Sequence, residues 1–349
     1  MADIIENFPF EIRDFESKES EIVEKSFNGF MNKFVRIGPK GYSAPKLYLK
    51  YAASIYNMPL RPRDTVVATY QRSGTTMTQE LVWLIAKDFD YETAKSTVLI
   101  QRYQFVEMPM FMDIKAIEAI GKQYTGEKAE EISKFCSTFQ MLPVEILAKT
   151  PDPRFIKTHL PLSFLPPSLL DTTKVVYVAR DPRDVAVSSY HHSKLFVQMG
   201  YNSDFKHFWS LFTGGLFTFT PYFEHVKEAW EKRHHPNLLF LFYEDLRKDL
   251  PANIRRIAKF LGKEPSEEQI LGLCDHMKID NFKNNKAVNL EDMRVLGLLS
   301  EGEQFIRRGK SGGWRDYFDE EMTKQAESWI IENLRNTDLR FPSMQDIQI

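Results

Sequence analysis

Between Val66 and Ile85 the chain reads VVATYQRSGTTMTQELVWLI. An arginine, a glycine and three hydroxyls, Arg72-Ser73-Gly74-Thr75-Thr76, separate a β-branched run from a segment with apolar residues at Met77, Leu81, Leu84 and Ile85. If that segment is a helix, Ser73 to Thr76 lie at its start. Backbone N–H groups there lack carbonyl partners, and the dipole end is positive. Gly74 lets a ligand approach the backbone, the hydroxyls add donors, and Arg72 adds a charged fork. Together these make a phosphate cradle on a strand-turn-helix unit. An ordinary N-cap would explain one hydroxyl, but not three plus an arginine. The unit is P-loop-like without being a Walker A loop. The only Gly-Lys-Ser run, Gly309-Lys310-Ser311, has Gln304 where the first glycine belongs and no strand before it.

Two more segments carry clustered arginines. In RDPRDVAVS, Arg180 follows an apolar run, Pro182 suits a first helical turn, and Ser188 lies further along the same helix. Capping by Asp181 and Asp184 is the bland alternative, and it leaves Arg180 unexplained. FIRRGKSGGWR places Arg307, Arg308, Lys310 and Arg315 among Gly309, Gly312 and Gly313. A solvated basic loop is the ordinary reading of such a run; its glycines also suit wrapping an anion. One cradle plus two arginine-bearing segments fits a nucleotide phosphorylated at two places. Spacing leaves open whether the three converge.

In FIKTHLPL, Lys157 and His159 flank Thr158. If a strand persists there, both point to one side. A histidine titrating near neutrality suits proton abstraction from a hydroxyl, although a lone loop histidine is more often just solvated. The pairs His191-His192 and His234-His235 lack partners at metal-ligand spacing, so no metal site is expected.

These groups need a scaffold. Runs at 65–70, 154–157, 174–179 and 238–242 are apolar, β-branched or aromatic, and each is followed by polar residues and a helical pattern. That rhythm predicts one α/β domain over 1–349, with a central parallel sheet flanked by helices. Ligands of such sheets bind beyond the carboxyl ends of the strands, where every residue above falls. Between 91 and 153 no clear strand is evident. EMPMFMDIKAIEAIGK and EEISKFCSTFQMLPVEILAK read as helices with Met- and Phe-rich faces, either packed on the sheet or closing as a lid over an apolar pocket.

The composition is that of a globular chain, 43% hydrophobic and 27% charged, with 27 phenylalanines. A net charge of −2 argues against a nucleic-acid partner. No apolar run has the length of a membrane span, and the acidic N-terminus is unlike a signal peptide. Two cysteines without a CxxC spacing point to a reducing, cytoplasmic setting.

The blocks RPRDTVVATYQRSGTT, FIKTHLPLSFLP, VVYVARDPRDVAVSSYHH, LLFLFYEDLRKD and FIRRGKSGGWRDYF resemble, in order, those of the cytosolic sulfotransferases. The resemblance implies 3′-phosphoadenosine 5′-phosphosulfate (PAPS) as donor and adenosine 3′,5′-bisphosphate (PAP) as product. It implies that Ser73, Gly74, Thr75 and Thr76 hold the 5′ end, and that Arg180, Ser188, Arg307, Arg308 and Gly309 hold the 3′-phosphate. Tyr243 would meet the adenine, His159 would be the base, and Lys157 would contact the transferring group. Two positions depart from the pattern: Arg72 replaces the usual lysine and Met77 the tryptophan that stacks on adenine. The usual homodimer motif is not matched after Trp314, where Arg315, Asp319, Glu320 and Lys324 stand. The extension at 1–38, the helical insertion at 91–153 and the Phe-rich composition are similar to those of retinol-handling members. This implies an apolar alcohol acceptor, retinol or similar, with loss of sulfate to give anhydroretinol. An ordinary phenol, steroid or alcohol sulfotransferase stays open, as do a nucleotide-dependent kinase and a non-catalytic retinoid carrier.

Overall fold

In the computed structural model, residues 7–29, 33–112, 114–137 and 141–344 are described, so parts of the expected 1–38 extension and 91–153 insertion lie outside the described residues. Three short strands come first: β1 (Ile12–Asp14), β2 (Phe34–Ile37) and β3 (Tyr42–Pro45). They pair antiparallel in the order β1-β2-β3. The sequence pattern did not reveal them, because strands of three or four residues are too short to display alternation.

The predicted apolar runs form β4 (Thr65–Thr69), β6 (Phe155–Thr158), β7 (Lys174–Ala179) and β8 (Leu238–Phe242). A two-residue strand, β5 (Gln104–Phe105), completes a sheet ordered β5-β6-β4-β7-β8. All of its pairings are parallel. β5 corrects the expectation of no strand between 91 and 153; two edge residues leave no period to read.

Both sheet faces are covered, as parallel sheets require. Val66, Ala68, Ile156, Val175 and Tyr177 pack on one side, while Val67, Phe155, Val176, Val178 and Leu241 pack on the other. At the amino end of the central pair, Arg154 Nε donates to Asp64 Oδ1 at 2.7 Å, with both side chains fully buried. Losing one partner would strand a buried charge at a cost of about 3–5 kcal/mol. The pair therefore helps to hold β4 and β6 in register, with Ala68 opposite Thr158. At the carboxyl end that register brings Thr69 close to His159.

The insertion forms helices at Tyr91–Ser96, Leu99–Arg102, Ile114–Gly121, Glu127–Ser137 and Pro143–Lys149. Its Met108, Met112, Ile117, Ile132 and Cys136 share an apolar cluster with Leu195, Met293, Leu296, Leu298 and Leu299. That cluster is distinct from the two that cover the sheet.

Candidate active site

The turn after β4 is built on two left-handed residues. Arg72 has φ +66°, unusual for a side-chain-bearing residue, and Gly74 has φ +103°. A Cβ on Gly74 would sit 2.5 Å from Cδ2 of Tyr243, so glycine is required both for its backbone and for this close approach. The helix Thr75–Ala86 begins immediately. Thr78 N–H meets Gly74 O at 3.0 Å, leaving the N–H groups of Thr75, Thr76 and Met77 open at the helix end. Ser73 Oγ is buried without a hydrogen-bond partner among the described residues. Thr75 Oγ1 instead lies 2.7 Å from Thr69 Oγ1, so this hydroxyl faces the neighbouring strand end.

The arginines converge here. Arg72 Nε donates to Ser188 Oγ at 3.1 Å and its Nη2 to Phe305 O at 2.9 Å, with the guanidinium 4.8 Å from the Phe305 ring centroid. Arg180 donates to the carbonyls of Arg72 and Lys310, each at 3.1 Å, and stacks 4.4 Å over Tyr243. Its Nε has no hydrogen-bond partner among the described residues. Arg307 Nη2 donates to Tyr317 Oη at 3.0 Å, and that hydroxyl lies 2.6 Å from His191 Nε2. Arg308 pairs with Asp316 in a more exposed position. Gly309 is left-handed, and a Cβ there would come within 2.6 Å of Ile279 Cδ1. Burial, then the charges of Arg180 and Arg307, push Arg72 down to about 9, still cationic at neutral pH. Two carboxylates lie near Arg180: Asp184, 3.9 Å away, already accepts from the N–H groups of Gly312 and Trp314, and Glu244 accepts from the Asp181 N–H. Clustered, half-buried arginines of this kind favour an anion.

The candidate base stands across the cavity. His159 Nδ1 lies 3.1 Å from the Thr69 carbonyl oxygen. A carbonyl only accepts, so Nδ1 carries the proton and Nε2 keeps its lone pair. Burial and the Lys157 charge hold His159 well below its usual value, which keeps it neutral. Its carbonyl accepts from His225 Nε2 at 2.9 Å. Lys157 Nζ sits 3.8 Å over the Phe105 ring.

Sequence reasoning missed Glu107. Fully buried, it accepts from the His159 backbone N–H and, at 3.0 Å, from the Thr158 hydroxyl. Burial pushes its carboxyl up, while burial pushes Lys157 down against the pull of Glu107. An acid isolated in an apolar stretch, FVEMPMF, was the available signal, since a buried carboxylate must have partners. Thr69, His192 and Phe305 were missed as well.

Arg72, Arg180, Arg307, Arg308, Lys157 and His159 open on one cavity of about 280 Å³, while Ser73, Thr69 and Glu107 lie behind its wall. Arg72, Thr76, Met77, Ser188 and Tyr243 line its polar part. Phe105, Met108, Phe111, Met112, Phe196 and Met293 line its apolar part, with Lys157 and His159 between them.

A model of the sulfotransferase domain matches residues 62–338, and the chain belongs to the sulfotransferase family. Luciferin sulfotransferase of Photinus pyralis is 33% identical over 341 residues, covering 94% of this chain and 87% of that one. Sulfotransferase 1E1 of Homo sapiens is 29% identical over 297 residues, covering 85% and 92%. Within the family the chain is similar to retinol dehydratase. The crystal structure of that enzyme with androsterone and the inactive cofactor PAP is 54% identical, with a TM-score of 0.89, covering 97% of this chain and all of that one. The complex with retinol and PAP gives the same identity and TM-score over 96% and 100%. The site accommodates such a nucleotide: the open helix end, the Arg180 Nε without a partner among the described residues, and the clustered arginines all favour an anion.

Proposed function

We propose that the protein transfers the sulfuryl group of PAPS to the hydroxyl of an apolar allylic alcohol, retinol or one like it, and that the bound sulfate ester then loses sulfate to give anhydroretinol. The observation that carries this reading is the single cavity joining a cationic cradle, a neutral histidine and a Met- and Phe-lined chamber. Family membership favours sulfuryl over phosphoryl transfer, and a cradle beside a base argues against a mere carrier.

When bound, the donor supplies an activated sulfuryl group, and everything else is done by the chain. Ser73, Gly74, Thr75, Thr76 and the open N–H groups grip the 5′ end; Arg180, Ser188, Arg307, Arg308 and Gly309 grip the 3′-phosphate; Tyr243 and Met77 meet the adenine. His159 Nε2 accepts the proton of the acceptor hydroxyl, with its tautomer fixed by Thr69. Lys157, Arg72 and the helix end stabilise charge as it builds. The insertion's Phe105, Met108, Phe111 and Met112 keep water from the carbocation-like species that follows loss of sulfate. The two unpaired cysteines, Cys136 and Cys274, suit a reducing cytoplasm.

A second reading, a stable sulfate ester on a steroid, draws on the androsterone held by the similar retinol dehydratase. Incubation with labelled PAPS and a panel of alcohols, phenols and steroids separates the two. A product lacking both oxygen and sulfate supports dehydration of retinol; a stable ester from every acceptor supports the second reading.

A further inference from the structure

The helix Pro182–Leu195 carries Ser188 and, one turn later, His192. Residues four apart share a helix face. Ser188 holds Arg72, so His192 faces the same cavity, which it lines. Its ring lies 4.7 Å from that of Phe196 and 6.4 Å from that of Phe305, whose carbonyl accepts from Arg72. Neither ring nitrogen of His192 has a hydrogen-bond partner among the described residues. The other histidines around the cavity are tied: His159 to Thr69, His225 to His159 and Tyr177, His191 to Glu303 and Tyr317.

His192 is half-buried, beside the Phe196 and Phe305 rings and near the charges of Arg72 and Lys157, and it lines the cavity, where a ligand can meet its ring nitrogens. Burial, then Arg72 and Lys157, keep it neutral, with one N–H to donate and one lone pair. The acceptor's carbon skeleton offers nothing to that donor. The anionic sulfate ester, held between Arg72 and Lys157, does.

We propose that His192 is a hydrogen-bond donor to the sulfate oxygens of the acceptor ester and promotes its departure. The proposal rests on the dehydration reading above. In that step the allylic C–O bond breaks and its electron pair leaves with sulfate. A C–H bond of the conjugated chain then gives its pair to the new double bond, and that proton passes to water at the cavity mouth. Charge grows on the sulfate as the C–O bond lengthens, so a donor fixed there acts more strongly in the transition state than in the ground state. In the first step that charge grows instead on the departing nucleotide, so His192 matters less to sulfuryl transfer.

The test is product partition with retinol and labelled PAPS in the wild type, His192→Phe and His192→Asn, reading PAP release for the first step and the fraction of product that is polyene for the second. His192→Phe should lower the polyene fraction about tenfold or more while PAP release changes several-fold less, and the ester should accumulate. His192→Asn, which keeps an N–H donor, should recover much of the polyene. An unchanged partition in His192→Phe, or equal losses of partition in both variants, overturns the role of His192. A wild type that makes only ester overturns the dehydration reading itself, and the proposal with it.

Discussion

His159 and Thr69, ninety residues apart in the chain, meet at the carboxyl ends of adjacent parallel strands, with Nδ1 3.1 Å from the Thr69 carbonyl oxygen. The Thr69 hydroxyl also lies 3.2 Å from Nδ1, and the register of β4 and β6 sets the carbonyl contact. It makes His159 a base with one defined lone pair. His159→Ala should therefore lower kcat by about 10²- to 10⁴-fold while PAP affinity stays within about twofold. Turnover close to wild type in this variant would remove His159 as the base.

The pH profile of kcat/KM should be bell-shaped. His159 works neutral, and its pKa is held below the ordinary histidine value, so the acid limb should lie below about 6.5. Lys157 works charged, and burial moves its pKa down, so the alkaline limb should lie below that of an ordinary lysine. The Glu107 carboxylate opposes this lowering, whereas Arg72 adds to it. Glu107→Gln should then shift the alkaline limb to lower pH and cost more activity at pH 8 than at pH 6.5. A uniform loss at every pH would reduce Glu107 to a packing role.

Arg72 uses its fork on two partners at once, Ser188 Oγ and Phe305 O. A lysine ammonium cannot span both from one planar group. Arg72→Lys, although it restores the residue usual in the family, should weaken PAP binding by about tenfold or more in calorimetry. Affinity within about twofold of wild type would show that charge alone suffices.

Gly74→Ala places a methyl 2.5 Å from the Tyr243 ring on a left-handed backbone. The strain should cost about 1–3 kcal/mol, lowering Tm by several degrees, and displacement of Tyr243 should weaken PAP binding. Gly74→Ala combined with Tyr243→Leu should regain part of the Tm. If Gly74→Ala is as stable as wild type, the close approach has been misjudged.

The anion-facing half of the site was legible because it is local. Arg72 to Thr76 are contiguous, a helix start imposes its own unpaired N–H groups, and the strands before Arg180 and Tyr243 announce themselves as apolar runs. What the sequence hid was tertiary. Glu107 looked like one acid on a helical face; its role appears only when β5 pairs with β6 and carries it beneath His159. His192 read only as half of a histidine pair without metal-ligand partners, and its place depends on the helical turn that separates it from Ser188. Thr75 was grouped with the free hydroxyls of the cradle, yet it bonds towards Thr69. The β1–β3 sheet escaped because its strands are too short to show a period. Met77 lines the cavity where the family pattern has a tryptophan.

The most direct test of the central claim counts sulfate. With retinol and PAPS labelled in sulfur, free sulfate and PAP are measured together over a time course, alongside the mass of the organic product. Sequential sulfuryl transfer and elimination predict about one free sulfate per PAP released, with a product short of one water relative to retinol. PAP release with the label retained in an ester of retinol, or no PAP release with any alcohol, would contradict it.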